Sequence, residues 1–112
     1  MENKKTVTAK YENGCLTLLV EGEIDHHSAR AIREALDREI FFYRSKRVIL
    51  DLSSVDFMDS SGLGLILGRY STVSEMGGTL ELSGVSAKIE KILRLAGAER
   101  LVSISKAKKE EK

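Results

Sequence analysis

Val48-Ile49-Leu50-Asp51-Leu52-Ser53-Ser54-Val55-Asp56-Phe57-Met58-Asp59-Ser60-Ser61-Gly62-Leu63-Gly64-Leu65-Ile66-Leu67-Gly68-Arg69-Tyr70 is the stretch on which the fold turns. It opens with a short apolar run, Val48-Ile49-Leu50, ending at Asp51. That is the pattern of a strand covered on both faces, the expected centre of a sheet. Asp59-Ser60-Ser61 then offers a helix cap, because Asp and Ser side chains accept from backbone N–H groups that have no partner in a first turn. Leu63, Leu67, Tyr70 and Val73 follow at spacings of three and four, and Gly77-Gly78 stops the helix.

Upstream, Val7-Thr8-Ala9-Lys10-Tyr11 and Leu16-Thr17-Leu18-Leu19-Val20 alternate around Glu12-Asn13-Gly14-Cys15. Asn-Gly between alternating runs predicts a hairpin, since a tight turn needs the positive φ angles these two residues tolerate. Ala29, Ile32, Leu36, Ile40 and Tyr43 form one helical stripe, predicting a helix over 28–44 with Asp25 or Ser28 as its cap. Downstream, Thr79-Leu80-Glu81-Leu82-Ser83 reads as a half-exposed strand. Val85, Ile89, Ile92, Leu93 and Ala96 mark a third helix, closed by Gly97, and Leu101-Val102-Ser103-Ile104 an edge strand.

The order predicts an α/β domain: a mixed sheet opened by an N-terminal β-hairpin, with helices packed against it and parallel strands wherever a helix intervenes. Residues 1–105 form that domain in this reading, and the nearly all-charged run 106–112 is a frayed C-terminal tail.

The chain has 112 residues, with 18 Lys and Arg against 17 Asp and Glu for a formal charge of +1. No net field draws nucleic acid or an anionic membrane, so direct binding to either is not expected. Apolar residues make up 42% and charged ones 31%, the balance of an ordinary globular domain. Cys15 is the single cysteine, so it has no internal disulfide partner, and a reduced, cytoplasmic setting is expected. No segment approaches the roughly 20 apolar residues of a membrane span, and no signal-peptide stretch follows the first residues.

Three glycines in one helix each weaken it by about 0.8–1 kcal/mol relative to Ala, so they call for a reason. Close packing on the sheet accounts for Gly68. Gly62 and Gly64, beside the hydroxyls of Ser60 and Ser61, would let another macromolecule approach bare backbone. Enzymatic readings fail on spacing. A Walker loop or a dinucleotide fingerprint would need glycine where Leu67 stands. A nucleophile elbow would need glycine in place of Met58 before Ser60, or of Asp59 and Leu63 around Ser61. His26 and His27 are adjacent and diverge, a poor grip for one metal ion. Asp51 is similar in position to the phosphorylated aspartate of receiver domains, but a chain that opens with a hairpin and contains no proline lacks the companions of that site.

Asp59 to Tyr70, with the preceding strand and with Gly22-Glu23-Ile24-Asp25-His26-His27, Gly77-Gly78-Thr79-Leu80 and Leu95-Ala96-Gly97, resembles the signature of bacterial anti-sigma factor antagonists. These are small domains of the sulfate-transporter-and-anti-sigma (STAS) class. The resemblance spans about residues 6 to 105, and Asp25-His26-His27 with Ser60-Ser61-Gly62-Leu63-Gly64 is similar to the sporulation branch. It implies a five-stranded mixed sheet, no catalytic activity and no cofactor. It implies phosphorylation on Ser60 and a partner surface of Asp25, Asp59, Ser60, Ser61, Gly62, Leu63 and Gly64. The implied partners are an anti-sigma factor that is also an ATP-dependent serine kinase, and a metal-dependent serine phosphatase that resets the switch.

Overall fold

The computed structural model describes residues 6–106. Strands β1 (Val7–Glu12) and β2 (Cys15–Ile24) lead to helix α1 (Ala29–Tyr43). Strand β3 (Arg47–Met58), helix α2 (Ser60–Glu75), strand β4 (Thr79–Val85), helix α3 (Ala87–Leu95) and strand β5 (Ser103–Lys106) follow. The sheet order is β1-β2-β3-β4-β5; β1 and β2 are antiparallel and every later pair is parallel. The hairpin turns where expected: Asn13 and Gly14 take φ of 51° and 77°, and Glu12 faces Cys15.

β3 is the central strand, but it is covered on one face rather than two. Val48, Leu50 and Leu52 are buried while Ile49 and Asp51 are half-exposed. Leu16, Leu18 and Val20 of β2 and Leu80 and Leu82 of β4 are buried in the same alternation and meet Ile32, Leu36 and Ile40 of α1, Ile66 and Val73 of α2, and Ile89 and Leu93 of α3. The core thus lies in one layer between sheet and helices. The open face of β3 and β4 carries, beside Ile49, mainly polar groups, including the Arg47–Glu81 ion pair at 3.0 Å. β3 also runs past Asp51 to Met58, so Asp51 is a mid-strand residue, not a strand end. Its Oδ1 accepts from Ser53 N–H and Ser53 Oγ at 2.9 and 2.7 Å, so the carboxylate is engaged locally, two residues along its own strand.

Other boundaries shift for identifiable reasons. α2 buries Gly62, Leu65, Ile66, Arg69 and Val73, whereas the expected stripe members Leu63, Leu67 and Tyr70 are half-buried at its flank. Leu63, Leu65, Ile66 and Leu67 surround the helix with apolar side chains, so periodicity alone does not choose its inward face. Val85 belongs to β4 and Ser86 caps α3, accepting from Ile89 N–H at 3.3 Å. Gly97 takes the left-handed conformation (φ 76°) expected after a helix, and a turn of 3-10 helix, Ala98–Arg100, delays β5 to Ser103. The charged tail lies, beyond Lys106, outside the described residues. Among the described residues no helix is long and apolar enough to cross a membrane.

Candidate functional site

The parallel register of β2 and β3 pairs Ile24 with Met58, and Asp59 N–H donates to Ile24 O at 3.2 Å. Asp25 and Asp59 therefore leave the sheet side by side, although 34 positions separate them in the chain. Each carboxylate is held by backbone donors. Asp59 is the N-cap of α2, with Oδ1 accepting from Ser61 N–H at 2.8 Å. Asp25 Oδ1 accepts from His27 N–H and Ser28 N–H, both at 2.9 Å. The Ser28 N–H foremost, with lesser help from His27, holds the Asp25 carboxyl below the ordinary aspartate value.

Ser28 occupies the N-cap position of α1 but makes no side-chain cap bond; its hydroxyl instead donates to Glu23 O at 2.7 Å. The loop of Asp25 to Ser28 is thus tied to the end of β2, which fixes the flank of the site. His26 and His27 meet edge to face, ring centroids 4.9 Å apart. Among the described residues no three His, Cys, Asp or Glu side chains gather into a group able to hold a metal ion.

Ser60 is the first residue of α2 and is exposed; Ser61 and Leu63 are half-buried and Gly64 is exposed. Because Asp59 supplies the cap, the Ser60 side chain is not needed for it. A negative group placed here would lie at the helix N-terminus, where unpaired N–H groups favour it by about 0.3–1 kcal/mol. Gly62 is different: it is buried, and a β-carbon there would overlap Met58 Cγ, lie 2.7 Å from Met58 Sδ and lie 3.1 Å from Ile24 Cγ2. Gly62 therefore lets α2 settle onto the ends of β2 and β3. Gly68 reverses its expected part. A β-carbon at Gly64 or Gly68 would meet nothing within 4 Å, so neither glycine is required by packing.

A cleft of about 570 Å³ opens between α1 and α2 directly beside these serines. Ser61, Gly64, Gly68 and Arg69 line its α2 side; His26, Arg30 and Arg33 line the other. The cleft was not read from the sequence, although a signal for its α2 side was present: 61, 64 and 68 are small residues at helical spacing and so share one face.

The model of the STAS domain matches residues 6–111. The chain belongs to the STAS family. An anti-sigma F factor antagonist of Paenibacillus polymyxa is 32% identical over 98 residues, covering 88% of this chain and 84% of the relative. An anti-sigma-B factor antagonist of Bacillus subtilis strain 168 is 32% identical over 99 residues, 88% and 89% of the two chains. The structure of the anti-sigma factor antagonist SpoIIAA in its unphosphorylated form superposes with a TM-score of 0.73 at 26% identity, covering 88% and 86%. The phosphorylated form of the Bacillus protein gives 0.67 over 88% and 89% at the same identity. These STAS relatives are named as regulators rather than enzymes. The five-stranded sheet and N-terminal hairpin of this STAS domain agree with the architecture expected from the sequence.

Proposed function

We propose that this STAS domain is a cytoplasmic anti-sigma factor antagonist switched by phosphorylation of Ser60. Unphosphorylated, it binds an anti-sigma factor that is also an ATP-dependent serine kinase and so releases a sigma factor for transcription. Phosphorylated, it does not bind, and a metal-dependent serine phosphatase restores it. The observation that carries this reading is the exposed Ser60 at the first position of α2, free of the capping duty that Asp59 performs and flanked by Asp25. The partner surface comprises Asp25, Asp59, Ser60, Ser61, Leu63 and Gly64, with Gly62 contributing by seating α2 at the right depth.

The switch follows from electrostatics. A phosphate of about −1.5 to −2 charges at a helix N-terminus suits the domain's own fold, so its effect is exerted on the partner. There it adds bulk and charge beside Asp25 and Asp59. A coupling of about 3 kcal/mol already lowers affinity more than hundredfold.

The Asp25-His26-His27 segment favours the sporulation sigma-F pathway; the general-stress sigma-B pathway is the second reading, favoured by the equally identical Bacillus subtilis relative. The test is incubation with each candidate anti-sigma factor and labelled ATP, followed by phosphopeptide mapping and binding measurements. The expected result is phosphate on Ser60, with Ser60→Asp folded yet bound more than hundredfold more weakly. Phosphate on Ser61 or Asp51, or a Ser60→Asp protein that binds like wild type, would refute the mechanism. ATP turnover by the partner-free protein that Ser60→Ala abolishes would replace it with an enzyme.

A further inference from the structure

The two edges of the sheet are finished differently. β5 has four residues, its register with β4 slips between Leu82 and Val85, and Lys106 ends it. Short length, an interrupted register and a lysine are ordinary means of keeping an edge from pairing with another chain. β1 has six residues in unbroken register with β2 and no proline, and its Lys10 lies 3.9 Å from Glu12, which offsets the charge. Glu21 N–H donates to Thr6 O at 2.9 Å, and this bond sets the parity of the hairpin. Thr6, Thr8, Lys10 and Glu12 turn their backbone groups to β2, so Val7, Ala9 and Tyr11 turn theirs to the free edge. That edge is an open template for one more strand.

Beside it runs a groove of about 500 Å³ between β1 and α1, lined on the helix by Ala35, Arg38, Glu39 and Tyr43. Aromatic rings mark one end. Tyr11 stacks on Tyr43 with centroids 4.7 Å apart, and Phe42, 75% exposed, meets Tyr43 edge to face at 4.8 Å. Exposed aromatic side chains of this kind are enriched where proteins meet. Two strand residues span about as much length as four or five helical ones, so with Tyr43 beside Tyr11, Arg38 and Glu39 stand level with Ala9 and Ala35 with Val7. A second copy related by a two-fold axis at Ala9 is complementary to the first. Val7 comes opposite the second copy's Tyr11 and Ala35 opposite its Tyr43, small against large in both layers. Arg38 meets the second copy's Glu39, and Glu39 its Arg38, so opposite charges face each other twice; among the described residues neither has an ion-pair partner within its own chain. Moving the axis to Lys10 would oppose two lysines instead, which destabilises a strand pair.

We propose that the free edge of β1 is a dimerisation surface: two copies of this chain pair β1 against β1, antiparallel about Ala9, and join their sheets into one. Val7 with Tyr11, Ala9 with Ala9 and Tyr11 with Val7 each exchange two backbone hydrogen bonds across the seam, and α1 of each copy flanks it. The interface is isologous, so it closes at two copies and leaves no further edge of this kind exposed. Because β2 separates β1 from β3 in the sheet, the Ser60 end of both copies stays open, and the dimer presents two switch sites at once.

The test is sedimentation equilibrium of the full chain from micromolar to millimolar concentration, with amide hydrogen exchange followed over the same range. A monomer–dimer equilibrium is expected, in which protection rises with concentration at Val7, Ala9 and Tyr11 but not at Thr8 or Lys10, whose N–H groups β2 already holds. Ala9→Pro removes an outward N–H that the monomer does not use, a change tolerated on an edge strand, and should weaken the dimer about tenfold or more. Arg38→Glu and Glu39→Arg should each weaken self-association, whereas the two variants mixed should associate more tightly than either alone, a result that a damaged monomer cannot give. The charge variants decide the matter if Ala9→Pro unfolds. A monomer at every concentration, concentration-dependent protection elsewhere than at these three amides, or a mixture no tighter than its components would overturn the proposal. Protection of the three amides only on addition of an anti-sigma factor would assign the edge to a different protein and overturn it as well.

Discussion

On the sheet side of α2, Gly62 clears a place for Met58, Ile66 is wholly buried and Val73 closes the row. On the side facing α1, Gly64 and Gly68 clear a place that none of the described residues fills. One helix therefore uses the same residue type for two purposes: to bring backbone against its own core, and to keep a surface concave. The first use is enforced by packing, because interiors are dense and an added methyl group displaces a neighbour. The second is opposed by helix propensity and persists only where something other than stability benefits.

This contrast is open to direct attack by substitution. The largest expected effect is at Ile66, fully buried on the sheet side: Ile66→Ala should destabilise the domain by about 2–5 kcal/mol. Leu63→Ala, at a half-buried position on the helix flank, should cost clearly less. Urea midpoints at constant slope report both, and an equal loss at Leu63 would mean the wrong face of α2 has been called inward. Next in size is the pair of glycines. Gly62→Ala should destabilise by about 1–3 kcal/mol through overpacking against Met58, whereas Gly64→Ala should stabilise by about 0.8–1 kcal/mol. Thermal unfolding that moved both variants in the same direction would remove the distinction between the two sides.

The smallest effect concerns pH and sharpens the contrast between the acidic flank and the basic cleft. Asp25 has its pKa lowered in the folded state, chiefly by the Ser28 N–H. Its stabilising contribution is therefore complete above the ordinary aspartate pKa, near 4, and is lost as pH falls through the lowered folded value. Asp25→Asn keeps an oxygen acceptor but removes that titration. A shallower fall in the urea midpoint below about pH 4 is expected, and a profile identical to wild type would show that Asp25 is not held by these contacts.

Much of the framework was legible because its signals are local. Asn13-Gly14 states a turn through backbone conformation, Asp59 states a helix start through its own side-chain acceptor, and Gly97 states a helix end through positive φ. The stripe of α1 was legible too, since Ile32, Leu36 and Ile40 stand against a polar opposite face. The candidate phosphoacceptor came from a motif rather than from physics, and the structure adds the reason its side chain is spare. The cap of α1 was half legible: Asp25 and Ser28 were both candidates, and they divide the work, Asp25 receiving the N–H bonds and Ser28 anchoring the loop to Glu23.

What the sequence by itself determined is the order of elements, their turns and caps, and the family motif, all of which depend on residues within a few positions of one another. Only the tertiary structure decided which side of α2 faces inward, that Gly62 is a packing residue and Gly68 is not, and that β3 is covered on one face alone. It also decided that Arg69 reaches Asp37 across two helices. The physical reason is common to these cases. A helix apolar nearly all round, or a glycine with no side chain to testify for it, has no preferred orientation of its own, and takes one only when parallel crossovers bring β2, β3, α1 and α2 to the same place.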